Sequence, residues 1–376
     1  MSTQTIPLPA AKRKSRDQRK ILILISAGAA VGALAGYGIG GILKSAGTKY
    51  HPEWWTLLFL PITALLALAL HEAGHVAGGW ISGFRFYMYV VGPLRIQRDG
   101  NRLKFMFNPV RALWGGLAAC APQRLDSNLR GHMLNYTAGG PLFSWLGATA
   151  LLPAMAARQT NENLSFILLE FGLLSALIGI TTLIPMQLSG FNSDGARLWM
   201  LLRNQPEGRR WTALAAVAGL AMAERPKHWP AELLEMLGEG LDPAPDSVFT
   251  CLLRHHWHLD RGEWAAAGLW LDRGVANIDS LAQATRGGLL MAAAYFEARH
   301  RGNTALAREY FELASKPGLH NREDQHITSA AVLIAEGRRQ EAHAELELAK
   351  RALESKPAPV ATALREDIEN LRAAIA

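Results

Sequence analysis

The apolar positions of this chain are unevenly spread. Four runs, about 21–43, 54–81, 134–157 and 164–188, are nearly free of charge, and each is long enough to cross a hydrocarbon core at about 1.5 Å per residue. Past residue 204 the runs give way to Leu and Ala at helical spacing among charged side chains, the pattern of soluble helices. The pattern predicts an all-α protein: a polytopic membrane helix bundle of about four spans over residues 21–204, preceded by a disordered basic tail (1–20) and followed by a helical domain (205–376). The run from 21 to 43 exceeds a usual signal-peptide core and has no clear small-residue cleavage site, so it reads as a retained span. Between the second and third spans the period changes. Phe84 to Val91 has strand character, and Leu94–Gln97 and Leu103–Phe107 are spaced to pair across Asp99-Gly100-Asn101, a small β-hairpin insertion. An unpaired edge there would hold an extended substrate by strand addition; a plain loop capping the bundle accounts for the pattern equally well.

The soluble half repeats itself. Gly262-Ala267-Leu271-Gly274, Gly302-Ala307-Phe311-Ala314 and Gly337-Ala342-Leu346-Ala349 share one spacing, with a weaker echo at Gly208-Ala213-Val217. Small residues at fixed intervals let paired helices approach closely, and the series looks like degenerate tetratricopeptide repeats. Their concave face would bind a protein partner, or the repeats would pack as a lid on the membrane domain; the two stand equal. Trp211, Trp229, Trp257, Trp264 and Trp270 read as packing anchors. His255, His256 and His258 lack an acid or Cys at metal-ligand spacing.

Composition adds an orientation. The chain of 376 residues carries a net charge of +7 and two cysteines, so no disulfide framework or Cys-rich metal site is implied. Residues 1–20 hold six Lys/Arg and residues 82–133 hold eight, against three (Lys44, Lys49, Arg158) in the other two connections. That bias reads as a topology signal before a nucleic-acid signal: both termini in the cytoplasm, in a bacterial inner or plasma membrane, with no nucleic-acid partner.

The chemistry sits at the end of the second run. His71-Glu72-Ala73-Gly74-His75 is a His-Glu-x-x-His motif. On a helix, His71 and His75 project from one face about a turn apart, suited to two imidazole ligands on a tetrahedral zinc ion with an open position for water. Glu72, beside the first ligand, is placed to take a proton from that water. Chance would produce the motif in roughly two of a hundred such sequences, so context matters. Two His and a Glu behind a long apolar run are costly to bury unless metal or partners satisfy them; the bland alternative is a pair of core histidines at an interfacial helix end. A third ligand should come from another span at matching depth. Asp194, in Asn192-Ser193-Asp194-Gly195 after the fourth run, is a hard oxygen ligand there, and Gly195 leaves room for a backbone. Glu170, inside that run, faces a cavity, pairs with a polar group or lies near the outer interface.

From about residue 54 to 200 the chain resembles the site-2 protease family of intramembrane zinc metalloproteases. The resemblance rests on three elements in the family's order: His71 to His75, Ala138-Gly139-Gly140-Pro141 and Asp194-Gly195. It implies that His71, His75 and Asp194 bind Zn2+, that Glu72 is the general base, and that the substrate is a membrane-embedded protein or peptide. The chain departs from the family in having Thr182 three residues before Pro185 and Ser144 three beyond Pro141, where Asn is usual; Asn135, Thr181, Gln187 and Asn192 are substitutes or plain packing and loop residues. Two readings of another class stand beside the protease: a non-catalytic membrane scaffold that binds partners through its repeats, and a metal transporter or sensor that keeps the same ligands.

Overall fold

The computed structural model describes residues 54–99, 102–109, 114–122, 128–157, 160–188, 191–221, 224–238, 245–281, 283–315, 321–355 and 358–375. The basic tail and the run at 21–43 lie outside the described residues. The protein is mostly helical. Among the described residues, Leu60–Ile81, Leu129–Ala157 and Glu162–Leu183 are long and apolar enough to cross a membrane.

The second run opens as a 3-10 turn at Trp54–Phe59 and continues as α1 (Leu60–Ile81). The third divides into α2 (Leu129–Ala148) and the short α3 (Leu151–Ala157). The fourth, α4 (Glu162–Leu183), is capped by Asn161, whose side chain accepts from the Leu164 N–H at 3.0 Å. It ends at Leu183, short of the expected 188, because Pro185 cannot continue a helix.

Contacts fix the order of the three helices. Gly78 lies on the Asn135 carbonyl, Gly74 on the Gly139 carbonyl and His71 against Ser144, so α1 and α2 run antiparallel. Gly147 meets Ser175 and Gly172 meets Leu151, so α2 and α4 are antiparallel too, and α1 and α4 are parallel. At Gly74 and Gly139 the backbones touch: a Cβ on either would run into the other's carbonyl. Close crossing on small residues is what apolar helices use where lipid gives no hydrophobic drive between them.

The expected hairpin is half of a larger sheet. β2 (Leu94–Asp99) pairs antiparallel with β3 (Arg102–Phe107), matching the predicted strands. β1 (Phe84–Val91) and β4 (Leu117–Pro122) complete four antiparallel strands in the order β3-β2-β1-β4. The sheet packs on the end of α1: Phe84, Phe86, Ala118 and Cys120 form one buried cluster with Val76, Met133 and Tyr136.

After a two-residue ribbon, β5 (Gln187–Leu188) with β6 (Phe191–Asn192), the chain enters α5 (Asp194–Leu202) and turns at Asn204 (φ 49°) into α6 (Pro206–Leu220). α6 lies on the sheet, with Gly219 against the Pro122 carbonyl and Trp211 beside the sheet's buried cluster. α7 (Ala231–Gly238) follows. Three helix pairs come next: α8 (Pro245–Asp260) with α9 (Trp264–Ala276), α10 (Gly287–Phe296) with α11 (Thr304–Ala314), and α12 (Arg322–Ala335) with α13 (Arg339–Ala352). α14 (Ala358–Ala373) closes the array.

The Gly that opens each repeated spacing sits at the same place in each pair. Gly262, Gly302 and Gly337 have φ of 73°, 67° and 76°, the left-handed turn between the two helices. Ala267, Ala307 and Ala342 are fully buried where the helices cross. The weaker echo is different in kind: Gly208 lies inside α6, where it lets the Met200 carbonyl approach to 2.7 Å of a Cβ position. Trp229 is a buried anchor, but Trp264 is half exposed and stacks on His300 with ring centroids 4.5 Å apart.

Candidate metal centre

His71, Glu72 and His75 lie past the middle of α1, all less than 10 % exposed. Asp194 begins α5. Ser193 caps that helix by accepting from the Ala196 N–H at 3.2 Å, and its hydroxyl also donates to the Ile184 carbonyl at 2.7 Å, tying α5 to the end of α4. Gly195 lies so close to the Leu183 carbonyl that a Cβ would overlap it. The cap and the glycine together carry Asp194 back to the level of the histidines. Its Oδ2 stands 3.2 Å from His71 Nε2 and 3.4 Å from His75 Nε2, and one donor atom from each of the three residues lies within 4.8 Å of the others.

The far sides of both imidazoles are engaged. His75 Nδ1–H donates to the Tyr136 carbonyl at 2.9 Å; a carbonyl only accepts, so Nε2 presents its lone pair toward Asp194. His71 Nδ1 meets the Ser144 hydroxyl at 2.9 Å. Such outer partners fix ring orientation in metal sites. Gly140 leaves the space at His75 Nε2, which a Cβ would fill. Two imidazole nitrogens and one carboxylate oxygen, buried and converging, form a donor set that suits a divalent metal ion.

Glu72 faces the sheet. The chain enters β4 at Gly116, with φ of 99°, and a Cβ there would overlap Glu72 Oε1. Tyr89 of β1 donates its hydroxyl to the Ala69 carbonyl at 2.7 Å, two residues before His71. Tyr136 donates its own hydroxyl to the Ala118 carbonyl of β4 at 2.6 Å, so one residue braces His75 through its backbone and the sheet through its side chain. The sequence singled out neither Tyr136, Tyr89 nor Gly116. Of the two departures from the family pattern, Ser144 meets His71, whereas Thr182 donates back to the Ile178 carbonyl of its own helix at 2.9 Å. Thr181 does likewise toward Leu177, Asn135 is exposed, and Gln187 pairs with Asn192 in the β5–β6 ribbon. Glu170 is buried near the Thr63 hydroxyl, 3.5 Å away. His255 is a core residue whose Nδ1–H donates to the Ala267 carbonyl at 2.9 Å, and His258 meets Glu263 at 2.6 Å.

The chain matches no family model, no curated protein and no solved structure.

Proposed function

We propose that the protein is an intramembrane zinc metalloprotease of the site-2 protease type, which hydrolyses a peptide bond of a membrane-embedded protein or peptide. One observation carries the reading: His71, His75 and Asp194, from elements 119 residues apart, converge on one buried point beside Glu72. His71 Nε2, His75 Nε2 and an Asp194 oxygen would hold the ion. Zinc bound there supplies a Lewis acid for the scissile carbonyl and lowers the pKa of water toward neutrality.

The chain's own groups do the rest. Glu72 takes a proton from the attacking water and hands it to the leaving nitrogen as the C–N bond breaks and the C–O bond forms. Ser144 and the Tyr136 carbonyl hold the imidazoles in place. The substrate unwinds locally, since a helix hides its carbonyls in hydrogen bonds, and lies extended along the sheet. The passage of the backbone at Gly116 beside Glu72 supports that placement. Both termini face the cytoplasm, in a bacterial inner or plasma membrane. The helix pairs, read as degenerate tetratricopeptide repeats, recruit the substrate or gate the site.

The test is cleavage of single-span substrates by the purified protein in vesicles. Wild type is expected to give product, chelation to abolish it, zinc to restore it, and Glu72→Gln to lower the rate at least about a hundredfold. Product from Glu72→Gln at the wild-type rate would remove Glu72 from the mechanism. Bound zinc with no product from any substrate favours a transporter or sensor.

A further inference from the structure

The three helices carry polar groups that hydrolysis at Glu72 does not use, and these fall in register. α1 and α4 run parallel, and α2 runs antiparallel to both, so residues can be assigned to levels. His71, Ser144 and Gly179 share one level: Ser144 Oγ is 2.9 Å from His71 Nδ1, and a Cβ on Gly179 would sit 3.1 Å from the Ser144 Cβ. One turn further from the sheet, Ser175 lies against Gly147, whose Cβ position is 2.6 Å from the Ser175 hydroxyl. A turn beyond that, Thr63 meets Glu170. The line spans about 12 Å, the rise of eight helical residues from Thr63 to His71.

These groups are short of partners. Ser175 is fully buried, and its hydroxyl has no hydrogen-bond partner among the described residues. Threonine hydroxyls elsewhere in these helices satisfy themselves on a carbonyl a turn back, as Thr137, Thr181 and Thr182 do. Thr63 has one proton to divide among the carbonyls of Phe59 and Leu60 and the carboxylate of Glu170. Thr63 is Glu170's one hydrogen-bond partner among the described residues, and that contact is long, so the buried carboxyl (8 % exposed) lacks a donor of its own. A buried hydroxyl with no partner and a carboxyl with one long contact are each costly in an apolar surrounding, and water is the partner that satisfies both.

We propose that Glu170, Thr63 and Ser175 line a narrow water lane that reaches the His71–Ser144 level from the membrane face remote from the sheet. Its purpose rests on the hydrolase reading: each bond cut consumes a water, and an extended substrate along the sheet covers the other approach to Glu72. Glu170 is the mouth of the lane and Ser175 its midpoint, where the helix surfaces close on Gly147 and Gly179.

The test reads water and needs neither substrate nor metal. In a chain carrying Cys120→Ala and Cys251→Ala, Ser175→Cys is placed in sealed vesicles and silver ion is added to one side, with blocking of later maleimide labelling as the readout. Leu146→Cys, at nearly the same depth on the outward face of α2, is the lipid-facing control. The expected result is reaction of the cysteine at 175 from the Glu170 side at least about tenfold faster than the control, slowed when Glu170→Leu is added. Should the cysteine variant not fold, radiolytic footprinting of the unaltered chain replaces it, with Leu70, beside Gly147, expected to oxidise ahead of Leu146. A cysteine at 175 that is unreactive, or reactive only from the sheet side, overturns the lane, as does equal oxidation of the two leucines. A protein that labels as expected but cleaves nothing overturns the peptidase and leaves the lane standing.

Discussion

In the helix pairs most of the large, fully buried side chains are aliphatic, Leu271, Leu289 and Leu346 among them, with His255 an exception, and cations such as Arg308 and Arg338 lie toward the surface. In the bundle the arrangement inverts. Thr63, His71, Ser144 and Ser175 are inside, while Leu142, Leu146, Leu152 and Met155 are about 60–70 % exposed. The membrane placement proposed for the three helices explains the difference. Water drives aliphatic side chains together, so the pairs earn their stability from Leu and Ala. Lipid gives a leucine no reason to leave the surface, so helices there meet on glycine and on polar groups, and the interior is left for chemistry.

The comparison can be broken most severely at the helix crossing. Gly139→Leu sets a side chain against the Gly74 carbonyl, a backbone atom that cannot retreat without parting α1 from α2. The expected cost is about 3 kcal/mol or more. Hydrogen exchange should show α1 and α2 losing protection while α8 to α13 keep theirs. Next in size is a matched pair of leucine truncations. Leu346→Ala, inside a helix pair, is expected to cost about 2–5 kcal/mol, whereas Leu146→Ala, facing outward from the bundle, should stay within about 0.5 kcal/mol. Equal losses would mean that the two regions pack alike.

Acid should separate the regions as well. Burial pushes His255 down to about 3, far below the unfolded imidazole. The folded state therefore holds this ring neutral, and its contribution is complete above about pH 6.5 and lost as pH falls toward 3. By pH 4 the loss is on the order of 3 kcal/mol, read as a falling denaturant midpoint for the helix pairs. His255→Leu should flatten that limb of the profile. The smallest effect is expected at the surface pair of Arg308 with Glu336, partly buried and with an Nε–Oε1 distance of 2.6 Å: Arg308→Ala should cost about 1 kcal/mol, and less at high salt.

What the sequence disclosed follows the same division. The His pair was legible because helical spacing alone places two side chains on one face, and Asp194 because its run ends at the same depth. The turn glycines at 262, 302 and 337 were legible because the repeated spacing marks them. The bracing of the site was not. Tyr136 reaches His75 through its carbonyl, which any residue possesses, and Ser144 was visible only as a departure from a pattern. β4 was hidden because Leu117-Ala118-Ala119-Cys120-Ala121-Pro122 has little strand character of its own; pairing with β1 and the bond from Tyr136 to Ala118 make it a strand. Ser175 gave no sign, since an orphaned hydroxyl is a fact of packing.

The central claim is that three side chains from two distant elements bind one ion. X-ray absorption at the zinc edge of the purified protein tests it directly, alongside His71→Ala and Asp194→Ala. The account predicts about one zinc per chain with only nitrogen and oxygen neighbours, lost in both variants and retained in Glu72→Gln. Sulfur in the zinc shell, or full zinc content in Asp194→Ala, would contradict it.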